Sequence, residues 1–158
     1  MEDKAQGLVA ALKERGMSLT TAESLTGGRI AAAITAVPGS SQVFPGGVVS
    51  YCDRIKHQVL GVPQALLERW GAVSEPVARA MAQGAAQVMG ADVAVSATGL
   101  AGPEGDGSET PVGTVYLGLW IRGETFCRRY VFSGDRSGVQ NQAVAGALEL
   151  ALWGLNRK

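Results

Sequence analysis

The chain has 158 residues, with 14 Lys and Arg against 14 Asp and Glu and only 18% charged residues, below the usual share of about a quarter. Zero net charge supplies no general drive toward nucleic acid or anionic lipid, and 46% hydrophobic residues with a mean hydropathy of +0.12 argue against disorder. Glycine is the outlier: 22 residues, about twice the usual share, with neither the collagen period nor a linker composition.

Asp3 caps a first helix that runs to about Arg15, with Leu8, Val9 and Leu12 on one face and Gly16 as its stop. Residues 17–22 read as a short strand. After Glu23-Ser24-Leu25-Thr26-Gly27-Gly28 a helical pattern aligns Ile30, Ala33, Ile34 and Val37, until Pro38-Gly39 breaks it. Residues 46–52 suggest a second strand. Asp53 is placed to cap a short helix over 54–60, Pro63 opens another to Trp70, and Ser74 caps a longer one over 75–89 that Gly90 ends. The β-branched, apolar run 92–98 reads as a buried strand.

Residues 99–113 carry five glycines and two prolines, a loop longer than most connections and of the kind that carries function. Over 114–121, Val115, Leu117, Leu119 and Ile121 alternate with Thr114, Tyr116, Gly118 and Trp120, the period of a strand. Arg122-Gly123 turns it into a hairpin partner over 124–132, and a last helix covers about 138–153. No repeat or linker divides the chain. The pattern predicts a single α/β domain over 1–158, a three-layer α/β/α arrangement with a mixed sheet and helices on both faces.

No apolar run reaches the 18 residues of a membrane span, and Met1-Glu2-Asp3-Lys4 lacks the order of a signal peptide. Cys52 and Cys127 form no ligand spacing, and His57 is the one imidazole, so no metal is expected. The reading is a soluble cytoplasmic protein with reduced thiols and two buried, hydrophobe-like cysteines.

Two segments carry candidate chemistry. Ser24 lies where a strand gives way to a helix, where free N–H groups favour developing negative charge. It is either a nucleophile or a simple N-cap. As nucleophile it needs a base, and Lys56 and His57 are the rivals. Adjacent helical residues point about 100° apart, so only one of them faces a given site. Lysine serves as a base where burial or a neighbouring cation lowers its pKa. Tyr51 is either an ordering group or a half-buried strand residue. The second segment is Ser96-Ala97-Thr98-Gly99 with its glycine-rich loop, where open α/β sheets bind ligands. It is neither a P-loop nor a dinucleotide fingerprint.

Taken together, these segments resemble one family. Thr21-Ala22-Glu23-Ser24-Leu25-Thr26-Gly27-Gly28 matches a T-A-E-S-x-T-G-G signature. Gly47 to Tyr51, Lys56 and Leu60-Gly61-Val62 match its next stretch. Gly71 to Ser74, Thr98 to Pro103, Pro111-Val112-Gly113 and Gly134-Asp135-Arg136 continue it in order. The chain is similar to the CinA C-terminal domain family of nicotinamide-nucleotide amidohydrolases.

The resemblance implies deamidation of nicotinamide mononucleotide to nicotinate mononucleotide and ammonia, without metal or cofactor. It implies Ser24 as nucleophile and Lys56 as base, with Tyr51 and Thr98 supporting the site. Thr26, Gly27, Gly28, Arg29, Gly47, Gly99 and Gly102 are assigned to substrate binding, with Arg29 and the 99–107 loop toward the phosphate. The partner is then a small pyridine nucleotide, with no nucleic acid and no membrane, and the protein a homodimer or larger homo-oligomer.

Three positions depart from the pattern. Asp53 stands where the family usually has Asn, Gly46 where a basic residue is frequent, and Thr110 where Lys is frequent. These changes bear on phosphate binding and on the pKa of Lys56. The alternative is a non-catalytic nucleotide-binding or assembly module of the same fold. At this length the chain is expected to lack the larger N-terminal domain that some relatives carry.

Overall fold

The computed structural model describes residues 1–157. In chain order it contains α1 (Glu2–Arg15), β1 (Leu19–Glu23), α2 (Arg29–Thr35), a 3-10 turn (Ser40–Gln42), β2 (Gly47–Val49), α3 (Asp53–Gln58), α4 (Gln64–Trp70), α5 (Glu75–Met89), β3 (Val93–Gly99), β4 (Thr114–Ile121), β5 (Glu124–Val131) and α6 (Arg136–Asn156). The strands form one sheet in the order β2-β1-β3-β4-β5. β1 runs parallel to both β2 and β3, and β4 is antiparallel to β3 and β5. Helices α1, α2 and α6 pack on one face and α4 and α5 on the other. The architecture is the expected three-layer α/β/α fold with a mixed sheet.

The alternation read along β4 is what sorts its two faces. Val115, Leu117, Leu119 and Ile121 enter the larger core with α1, α2 and α6, while Trp120 packs against the smaller core under α5. β3 is covered on both faces, so its polar side chains need partners. Ser96 Oγ donates to the Ala78 carbonyl of α5 at 2.6 Å, and Thr98 Oγ1 donates to the Ala72 carbonyl at 2.8 Å.

Some local expectations change. β2 keeps only three residues of the predicted 46–52, because its partner β1 ends at Glu23. The Ser50 amide then turns in to the Glu23 carbonyl at 2.7 Å. Tyr51 is therefore outside the strand and exposed, not half-buried within it. Asp53 is the first residue of α3 rather than its cap. Cys52 is exposed in the turn before α3 and Cys127 is half-buried on the edge strand β5, so neither is the buried hydrophobe expected. α6 extends beyond 138–153 at both ends, with Asp135 accepting from the Gly138 amide at 2.8 Å as its N-cap.

Candidate active site

The carboxyl ends of the parallel strands β1 and β3 lie side by side, with Glu23 opposite Ala97. This is the edge at which open α/β sheets place ligands. The chain leaves the sheet at Ser24, whose amide donates to the Ala97 carbonyl at 2.9 Å. The turn that follows is tight: Gly27 and Gly28 have φ of 57° and 100°, values that favour glycine. α2 begins only at Arg29, with Gly28 as its N-cap. Ser24 is therefore not the cap of this helix. The first-turn amides are instead satisfied by the fully buried Glu23 of β1, whose two carboxylate oxygens accept from Ile30 and Ala31 at 2.8 and 3.0 Å.

Lys56 approaches Ser24 from α3. Its side chain is buried, with Nζ donating to the Ser50 carbonyl at 2.8 Å and lying 3.1 Å from Ser24 Oγ. The Ser50 amide is held in turn by the Glu23 carbonyl. The serine and the lysine are thus tied through Glu23 and Ser50 as well as to each other. Burial pushes the Lys56 ammonium below the ordinary lysine range, and the charges of Asp53 and then Cys52 oppose it. An amine of lowered pKa at hydrogen-bond distance from a serine hydroxyl can take its proton. His57 lies on the exposed side of α3, its Nδ1 donating to the Val62 carbonyl at 2.8 Å. The two rivals are separated as helical spacing requires.

Ser24 and Lys56 open onto a cavity of about 510 Å³. Tyr51, Thr98, Gly99 and Gly102 line it with them. Tyr51 touches neither member of the pair by a hydrogen bond. Its hydroxyl accepts from Arg136 Nη2 at 3.0 Å, while Nη1 of the same guanidinium donates to the Gly102 carbonyl at 2.7 Å. Thr26, Gly27, Gly28, Arg29 and Gly47 stand outside the lining. Arg29 is exposed and folds back on its own turn, donating to the Thr26 carbonyl at 3.1 Å. Thr26 is fully buried with Oγ1 unpartnered among the described residues, and Gly47 makes room for the side chains of Thr21 and Phe44.

The cavity also contains Ala72, Val73 and Arg136, for which motif reading found no role in the site, together with Glu104 and Asp106 of the 99–107 loop and Asp53, noted above as a departure from the family pattern. Arg136 belongs to the Gly134-Asp135-Arg136 segment noted in the sequence, but only the start of α6 beside the 99–107 loop brings it here. The amides of Leu25, Ala72 and Val73 donate to no protein acceptor among the described residues, and all three residues line the cavity. Such amides can receive a developing oxyanion. Among the described residues no group of three or more His, Cys, Asp or Glu is placed to hold a metal ion, and no helix is long and apolar enough to cross a membrane.

Known proteins resemble this chain in sequence and in fold. The family model of the CinA C-terminal domain matches residues 1–153. The nicotinamide-nucleotide amidohydrolase PncC of Escherichia coli strain K12 is 51% identical over 144 residues, which cover 90% of this chain and 87% of that protein. The CinA-like protein of Dictyoglomus turgidum is 44% identical over 148 residues, covering 94% of this chain and 36% of the relative. The chain thus spans little more than a third of the length of such longer relatives. Among solved structures, a CinA superfamily protein of Klebsiella pneumoniae superposes with a TM-score of 0.96 at 38% identity, over 99% of this chain and 98% of that one. One from Escherichia coli gives 0.93 at 40% identity, over 96% and 89%.

Proposed function

Because the chain belongs to the CinA C-terminal domain family, we propose that it is a serine amidohydrolase acting on the carboxamide of a nicotinamide nucleotide, nicotinamide mononucleotide in the first place. The observation that carries this reading is the buried Lys56 Nζ at 3.1 Å from Ser24 Oγ on the floor of the cavity.

In this reading neutral Lys56 takes the Ser24 hydroxyl proton as Oγ attacks the carboxamide carbon. The Ser50 carbonyl holds one N–H of the amine, which leaves its lone pair for the serine. The carbonyl oxygen becomes an oxyanion and is received by the free amides of Leu25, Ala72 and Val73. Lys56 returns its proton to the departing nitrogen, the C–N bond breaks and ammonia leaves. Water then adds to the acyl-serine ester, giving its proton to Lys56. Collapse returns the Lys56 proton to Ser24 and releases the carboxylic acid, which gives up its own proton to solvent as the carboxylate product.

The remaining cation on the cavity wall, Arg136, receives the phosphate of the nucleotide. Tyr51 and the Gly102 carbonyl orient its guanidinium, and a fork of donors suits a phosphate. Thr98, held by the Ala72 carbonyl, supports the wall near the reacting amide. The carboxylates of Asp53, Glu104 and Asp106 favour a cationic pyridinium over a second anion. From its family we infer that the enzyme works in the cytoplasm as a homo-oligomer.

The test is ammonia release from nicotinamide mononucleotide, wild type beside Ser24→Ala. Turnover by the wild type that Ser24→Ala abolishes supports the reading. Absence of turnover across nicotinamide nucleotides overturns it.

A further inference from the structure

We propose that Asp53 is a positioning residue for the reaction, an electrostatic brake that sets the pH at which Lys56 becomes a free base. The proposal rests on the reading of Lys56 as the base. Asp53 and Lys56 are three residues apart on α3, the spacing that puts side chains on one face of a helix. Both line the same cavity. Their environments differ, since Lys56 is buried and Asp53 exposed. A carboxylate in that position stabilises the ammonium form of its neighbour and so works against burial.

The other titratable or charged groups around the cavity are Cys52, Tyr51, Glu104, Asp106 and Arg136. Arg136 is engaged by Tyr51 and Gly102, and Asp106 by Ser108. Of the whole set, Asp53 is the largest influence opposing burial at Lys56, followed by Cys52. The exposed carboxylate therefore moves the working range of the base toward alkaline pH. It also makes that range sensitive to salt, because exposed charges are screened.

The experiment compares wild type, Asp53→Asn and Asp53→Glu by two readouts. The first is an NMR titration of the Lys56 side chain, which needs no substrate. The second is the pH dependence of kcat/KM, whose acid limb reports the base in the free enzyme. Asp53→Asn is expected to lower the Lys56 midpoint by about half a unit to one unit. On the acid limb this appears as about a three- to ten-fold gain in kcat/KM. Asp53→Glu keeps the wild-type midpoint, and raising the salt moves the wild type, but not Asp53→Asn, in the same direction. An unmoved NMR midpoint in Asp53→Asn overturns the proposal, whether or not the protein is active. A shifted midpoint in a protein without amidase activity supports the proposal and removes the amidohydrolase reading instead.

Discussion

At the scale of single residues, the buried lysine makes the most exacting demand. Lys56 is charged only at a cost, because burial holds its pKa below the ordinary value of 10.5. The folded state therefore binds this proton less readily than the unfolded chain. Stability from this source is lost as pH falls through the folded-state pKa and recovered as pH rises toward 10.5. Lys56→Met is thus expected to abolish turnover while raising the melting temperature near neutral pH, by about 1 kcal/mol of stability. The advantage should shrink toward the ordinary lysine pKa, and a variant that melts lower than wild type at neutral pH contradicts it. Arg136 makes a different demand. Arg136→Ala is expected to raise KM for nicotinamide mononucleotide about ten- to hundred-fold, with kcat and the turnover of the phosphate-free riboside little changed. Equal losses on both substrates would remove Arg136 from the phosphate. The pairing of Ser24 with Lys56 was legible from motif and residue type, and the two side chains do meet. Arg136 was not assigned, because proximity across the cavity is a property of the fold and not of local spacing, whereas Asp53 already stood out in sequence as a departure bearing on the pKa of Lys56. Arg29 was the sequence's candidate for the phosphate, but it lies outside the cavity lining and folds back on the carbonyl of Thr26.

At the scale of elements, the junction between β1 and α2 decides how Ser24 is presented. A strand-to-helix step with a serine in it reads in sequence as a capped helix, and that is where local reasoning stops being informative. Glu23 reaches past the turn to take two amides of α2, so the serine is released from capping and its neighbours' amides remain free. The same residue's carbonyl holds Ser50, and the Ser50 carbonyl holds Lys56. Glu23→Gln replaces one acceptor oxygen by an NH₂ that faces a helix amide. The expected cost is about 1–2 kcal/mol of stability, together with a loss in kcat larger than any change in KM, since the turn that aims Ser24 is loosened. Thermal melts and steady-state kinetics check both. A drop in stability with unchanged kcat would show Glu23 to be a helix cap alone. β2 teaches a similar lesson: seven residues look strand-like, but a parallel partner exists only as far as Glu23, and the rest becomes the approach to α3.

At the scale of the whole molecule, the surplus of glycine has two destinations, and sequence alone suggested mainly one. Gly71, Gly99 and Gly102 line the cavity. Others let helices sit close on the sheet or on neighbouring backbone, which no linear pattern reveals. Gly118 on β4 lies under the Ala78 carbonyl of α5, where an added Cβ would be 2.5 Å away. Gly84 on α5 faces the backbone of Leu60, where a Cβ would collide with the carbonyl group. This second contact links the core to the chemistry. Leu60 lies just beyond α3, and the Val62 amide donates back to the Lys56 carbonyl at 3.1 Å, so α5 braces the segment that delivers Lys56 to Ser24. Backbone cannot swing aside as a side-chain tip can, so Gly84→Ala is expected to cost about 1–3 kcal/mol and to lower kcat by pushing α3 away from Ser24. Gly7 is the internal control, a glycine inside α1 with nothing within 4 Å of its added Cβ. Gly7→Ala should stabilise by about 0.5–1 kcal/mol through helix propensity and leave kcat alone. Melting curves of the two variants therefore move in opposite directions if close backbone packing is what Gly84 serves, and an undiminished melting temperature in Gly84→Ala refutes that role.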